Sequence, residues 1–164
     1  MLYPIFSQQI YPCKSNIMCC IYKDDTKIYI RDSGLSNALL NIKTMDDVLG
    51  HPLVGASWEG FIIENLLSCL TIGSSAWFYR TSAGAEIDLV ITQGNKKYAI
   101  EIKRSLSPSL SKGFHLGCED IRATHRFVVY SGKERFHLTK EVIAIPLIEM
   151  MKELQLWGQP PYFS

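Results

Sequence analysis

Two runs of alternating polar and apolar residues lie between positions 85 and 104, which read AEIDLVITQGNKKYAIEIKR. In the first, Ile87, Leu89 and Ile91 share one face while Glu86, Asp88 and Val90 share the other. In the second, Tyr98, Ile100 and Ile102 oppose Ala99, Glu101 and Lys103. Successive side chains of a strand point to opposite faces, so this alternation around Gln93-Gly94-Asn95-Lys96 predicts a β-hairpin. A third alternating stretch, 76–80 (AWFYR), leads into it through a turn at Ser82-Ala83-Gly84, giving a three-strand meander. Upstream, helical spacing over 58–70 places Glu59 with Ile62, Ile63, Leu66 and Leu70 on an apolar side. Ser57, Gly60, Glu64, Ser68 and Thr71 form the polar stripe, with Ser57 as the expected N-cap. Glu59 is therefore expected to point toward whatever the helix packs on, and Glu64 toward solvent. The plainer reading of Glu59 is a first-turn acid that gains about 0.3–1 kcal/mol from the helix dipole.

The remaining pattern fills in the order of elements. Residues 1–26 mix aromatics, Pro4, Pro12 and the Cys19-Cys20 pair without a sustained period, and read as an irregular lead-in to a single domain over 27–164. Within that domain 27–31 (KIYIR) reads as a strand, turned by Asp32-Ser33-Gly34, and 35–42 as a short helix. Thr44 and Asp47 resemble a cap for another short helix over 45–49. A helix over 109–121 follows Ser107-Pro108, weakened by Gly113 and Gly117; strands are expected at 126–131 and 141–145. Pro146 suits the first turn of a last helix reaching about residue 156, with GQPPYFS as an irregular cap. Helix, meander, helix and strand in that order predict an α/β (α+β) fold.

Composition narrows the class more than the chemistry. A chain of 164 residues with 47% hydrophobic and 20% charged residues can build one ordinary core. A net charge of +1 provides no global field for nucleic acid, so any such site must be local. Five cysteines without CxxC spacing argue against a disulfide framework or a zinc site and fit a reducing cytoplasm. No signal peptide and no membrane span are expected, which makes the cytoplasm the expected location. His51, His115, His125 and His137 are scattered, so surface or core roles are expected rather than ligation.

The hairpin itself raises a chemical question. If its turn closes between Thr92 and Lys97, Asp88 lies opposite Glu101, and Glu86 opposite Lys103, all on one face. Facing carboxylates destabilise a ladder; at about 4 Å the repulsion is roughly 4 kcal/mol at an effective dielectric of 20. Such a pair needs a raised pKa or a cation, and a divalent metal with oxygen ligands answers it economically. An isolated E-x-K motif on a strand is more often a solvent-facing edge. The opposed Asp88 and the inward Glu59 favour a site instead. Arg80, Arg104, Lys96 and Lys97 are candidate phosphate contacts. The alternatives are a structural strand-end role for Arg80 and simple solvation for the lysine-rich turn.

Glu59 on a helix, E86-I-D88 on one strand and E101-I-K103 on the next resemble the core signature of the PD-(D/E)XK nuclease superfamily, with Ile87 where the signature has Pro. KIYIRDSGL, GASWEGFIIENLL, the Tyr79-Arg80 pair, AEIDLVI and YAIEIKRS, in this order, resemble one family within it: the nuclease-like domain C-terminal to an AAA-type ATPase module in bacterial and archaeal proteins. The resemblance implies a restriction-endonuclease-like core, a central mixed sheet with an antiparallel three-strand meander flanked by helices. It also implies Mg²⁺ or Mn²⁺ on Asp88 and Glu101, with the Ile102 carbonyl a further ligand. Glu59 would complete the site, and Lys103 would orient or deprotonate the attacking water. Glu86 joins only conditionally, since it could simply pair with Lys103. No GxxxxGK[ST] occurs, so a stand-alone or truncated version of the C-terminal half is expected, any ATPase acting in trans. Two functions follow from the resemblance: a metal-dependent phosphodiester hydrolase acting on DNA, or a non-catalytic nuclease-fold module binding nucleic acid or a protein partner.

Overall fold

The computed structural model describes residues 17–21, 26–30, 44 and 54–157. Strands β1 (Ile17–Ile21) and β2 (Thr26–Ile30) form a two-stranded antiparallel ribbon, and β2 packs against helix α1 (Val54–Ser68). A strand at Ile17–Ile21 thus stands inside the stretch expected to be irregular. The turn at Asp32-Ser33-Gly34, the helices over 35–42 and 45–49 and the tail GQPPYFS lie outside the described residues.

The main sheet begins with the meander: β3 (Ser75–Arg80), β4 (Glu86–Gln93) and β5 (Lys96–Lys103), each antiparallel to the next. Helix α2 (Lys112–Asp120) then carries the chain across so that β6 (His125–Tyr130) lies parallel to β5. Parallel neighbours need such a crossover. After the two-residue β7 (Phe136–His137), β8 (Val142–Pro146) pairs parallel to β6, and α3 (Leu147–Trp157) closes the described fold. The strand order is β3-β4-β5-β6-β8-β7. The predicted mixed sheet with its antiparallel meander, flanked by helices, is therefore the observed architecture. No helix among the described residues is long and apolar enough to cross a membrane.

Apolar clusters sit on both sheet faces. On one, Ile62, Ile63 and Leu66 of α1 and Met150 and Leu154 of α3 cover Leu89, Ile91, Tyr98, Ile100, Phe127 and Ile145. On the other, Phe114, Cys118 and Ile121 at α2 cover Ile87, Val90, Ala99 and Val128. Cys69 and Cys118 are buried free thiols.

Several predicted boundaries shift for physical reasons. Helix α1 starts at Val54, so Ser57 lies inside it rather than capping it. Gly60, expected on the polar stripe, is buried, and Glu64 is half-buried, because α1 packs against β2, β5 and α3 and has little free perimeter. Helix α2 begins only at Lys112, where the Ser111 hydroxyl accepts from the Phe114 N–H at 3.0 Å. Pro146 ends β8 opposite Tyr130 instead of opening α3. The hairpin turn is tighter than predicted: Gln93 pairs with Lys96, leaving Gly94 and Asn95 as the loop. Gly94 has φ +56 and Asn95 does not share the positive φ, the two-residue geometry that asks for glycine at its first position.

Candidate functional site

The site lies where β4 and β5 part company. Their ladder runs from Gln93↔Lys96 to Leu89↔Ile100 and stops there. The cause is on the other side of β4. Between Trp77↔Val90 and Tyr79↔Ile87 the chain of β3 advances two residues while β4 advances three, a bulge carried by β4. A bulge leaves the extra residue unpaired and re-aims side chains. Here it reverses the alternation: Ile87 packs with Val90 against α2, whereas Leu89 and Ile91 face α1 and α3. The expectation that Ile87 shares a face with Leu89 and Ile91 is thereby corrected.

Asp88 uses the gap. Its Oδ2 accepts a hydrogen bond from the Ile102 N–H at 2.8 Å, taking a place that a strand carbonyl would otherwise fill. Asp88 is thus not paired with Glu101 in the ladder, nor Glu86 with Lys103. Glu86 instead has Oε2 3.9 Å from Arg80 Nε, both side chains well exposed.

Glu101 is the one buried polar or charged side chain among the described residues, 5% exposed. A buried charge is tolerable only when paired. Its partner is Lys103, whose Nζ donates to Oε1 at 2.7 Å from the same strand face two residues on. Burial pushes the Glu101 carboxyl above its ordinary value, against the hydrogen bond and charge of Lys103; the charges of Glu86 and Glu59 push it further up. Burial works against the Lys103 ammonium, yet the hydrogen bond and charge of Glu101, with the charges of Asp88 and Glu59, outweigh it, and its pKa rises. Both shifts run upward, and the surrounding carboxylates contribute to each.

The structure therefore brings the predicted residues together to different degrees. Glu101 and Lys103 are in contact, Asp88 is anchored beside them on Ile102, and Glu59 on α1 is half-buried and reaches the pair through its charge. Among the described residues no three His, Cys, Asp or Glu side chains form a group able to hold a metal ion. Arg104 is exposed just past β5, and its carbonyl accepts the Ser131 hydroxyl at 2.6 Å. Lys97 is turned to structure, its Nζ donating to the Ile121 carbonyl at 3.0 Å. Ser131, 27 residues from Arg104 in sequence, holds the chain directly after E101-I-K103; no local pattern signals that role.

By donor type alone, two carboxylates would suit magnesium or manganese rather than a caged ion. Asp88 and Glu101 offer carboxylate oxygens, and Mg²⁺ commonly takes one or two carboxylates, keeping waters and substrate phosphates for the rest. Zinc or calcium would need a fuller protein shell.

Two relatives, uncharacterised proteins of Mycobacterium bovis and Mycobacterium tuberculosis, are each 37% identical over 125 residues, covering 76% of this chain and 28% of their own length. The chain thus spans about 28% of the length of these curated relatives. No solved structure matches it. Residues 54–150, which hold α1, the meander and the Asp88–Glu101–Lys103 site, match the family described as Domain of unknown function (DUF4143), and to that family the chain belongs.

Proposed function

We propose that this domain is a metal-dependent phosphodiester hydrolase of the PD-(D/E)XK type acting on DNA. The observation that carries the reading is the buried Glu101 paired with Lys103 at the diverging ends of β4 and β5, with Asp88 anchored beside them. A surface charge pattern does not need a desolvated carboxylate; a site for a doubly charged ion does. Asp88, Glu101 and the Ile102 carbonyl would hold Mg²⁺ or Mn²⁺, with Glu59 completing the site, and the ion would supply a Lewis acid for the scissile phosphate and its attacking water. Lys103 would orient that water or take its proton, and offset negative charge on the phosphate. Arg80 and Arg104, both exposed, would hold flanking phosphates. An ATPase module in trans and a cytoplasmic setting belong to this reading.

The test is cleavage of DNA by the purified chain with Mg²⁺ or Mn²⁺. Asp88→Asn and Lys103→Met are expected to lower the rate by at least about 100-fold, the scale of one lost electrostatic or proton-transfer group. Circular dichroism would confirm that both variants fold. A second reading has its own observation: the carboxylates do not form a three-membered group among the described residues, and Lys103 already neutralises Glu101. It is a non-catalytic module that binds nucleic acid or a protein partner, and it predicts DNA retention without cleavage and indifference to both substitutions.

A further inference from the structure

The Lys103 ammonium holds one oxygen of the carboxylate that the proposed divalent cation would use. Nζ lies 2.7 Å from Glu101 Oε1, the length of a charge-assisted hydrogen bond. The Glu101 side chain is 6% exposed and that of Lys103 33%, so the carboxylate is shut in while the lysine side chain lies partly in solvent. Lys103 is the only partner of Glu101 among the side-chain hydrogen bonds of the described residues. A buried carboxylate stripped of its counter-ion is strongly destabilising. An ammonium and a divalent cation held on one carboxylate, a few ångströms apart in a desolvated site, repel each other strongly.

We infer that Lys103 is the resident counter-ion of Glu101, and that a divalent cation gains Glu101 only by displacing it. The site then has two arrangements. In one, Lys103 neutralises Glu101 and keeps the fold stable. In the other, the ion takes Glu101 and the amine swings out toward the solvent side, where a substrate phosphate would lie. Lys103 thus sets the cation concentration at which the site loads, and loading itself delivers the amine to the reaction. By reciprocity, whatever favours the Lys103–Glu101 pair weakens cation binding by the same factor. This inference rests on the metal reading of the proposed function.

Two measurements on the full chain test it at pH 8. In the wild type, amine-selective labelling of Lys103, read by mass spectrometry, is expected to rise several-fold on adding Mn²⁺ while surface lysines such as Lys133 stay constant. In parallel, thermal melts follow Mn²⁺ binding, since a ligand of the native state raises Tm with concentration. Lys103→Met is expected to melt lower than wild type without the ion, yet to reach half its Mn²⁺-induced shift at about tenfold lower Mn²⁺. A wild-type Tm that rises with Mn²⁺ while Lys103 labelling stays flat overturns the displacement and leaves the metal site standing. So does a folded Lys103→Met that needs as much Mn²⁺ as wild type, or more. If Lys103→Met does not fold, the wild-type labelling decides alone. A wild-type Tm indifferent to Mn²⁺ and to Mg²⁺ removes the metal reading and this inference with it.

Discussion

Asp88 and Glu101 look alike in sequence, yet the structure gives them opposite environments. Glu101 is sealed against Lys103, whereas Asp88 spends one oxygen on the Ile102 backbone N–H. That bond makes Asp88 a structural residue as well as a candidate ligand. Asp88→Ala leaves a strand N–H without its acceptor and is expected to cost about 1–3 kcal/mol, while Asp88→Asn keeps an acceptor oxygen and should cost less. Urea unfolding checks this through a lower midpoint at unchanged slope. Cys118 supplies a pH prediction. Burial, assisted by the charges of Glu101, Glu119 and Glu141 and opposed by that of Arg126, pushes its thiol up from 9.0 to about 12. A raised folded pKa means that the native state keeps the proton longer than the unfolded chain. The stability this contributes is present below pH 9 and is lost as pH rises through about 12. Native Cys118 should therefore resist iodoacetamide at pH 8 and react on unfolding, as site-resolved mass spectrometry would show.

At the scale of elements, β4 and α2 set the geometry. The one-residue surplus of β4 against β3 frees Asp88 from the ladder and turns Ile87 toward α2. Helix α2 then presses on that segment with its two glycines, which weaken a helix by roughly 1 kcal/mol each relative to alanine. Their use is close approach. A Cβ on Gly113 would fall 2.4 Å from the Gly84 carbonyl oxygen, a backbone atom that cannot rotate away. On Gly117 it would meet Ile87 Cγ1 at 2.8 Å, a side chain with some freedom. Gly113→Ala is expected to destabilise by about 1–3 kcal/mol despite the gain in helix propensity, and Gly117→Ala by less. Paired melts of the two variants read the difference. At its other end α2 closes with the Arg122 N–H on the Glu119 carbonyl and the Ala123 N–H on that of Cys118. This is a left-handed C-cap with Arg122, φ +53, where glycine is usual.

For the whole molecule, the centre of the sheet is β5 and β6, paired on both edges and covered on both faces. The site grows from the carboxyl end of β5, the end where open α/β sheets place their ligands. Glu101 therefore sits on the most firmly held strand, and Asp88 on a neighbour that leaves the ladder beside it. Amide exchange should reflect this arrangement: the slowest protons are expected in Ala99–Glu101 and Val128–Val129, and faster ones in the two-residue β7. Slow exchange across β7 equal to that of β5 would contradict it.

Local sequence was enough for the hairpin, the meander, the helix before it and the placement of E101-I-K103 near a strand end. Those features follow from short-range sterics: strand alternation, the glycine turn and the 3.6-residue helical period. Even the register from Leu89 to Thr92 follows, because a turn ties strands that adjoin in the chain. The bulge was not legible, because it exists only as a mismatch between β4 and β3. Likewise Glu86 pairs with Arg80 on β3, and Glu101 is buried on β5 with β6 alongside it. The two-residue β7 has too short a pattern to show at all. Sequence alone determined which charged groups the strands carry. Tertiary structure decided which of them lose their water and whom they face, because desolvation and pairing are set by atoms brought in from distant parts of the chain.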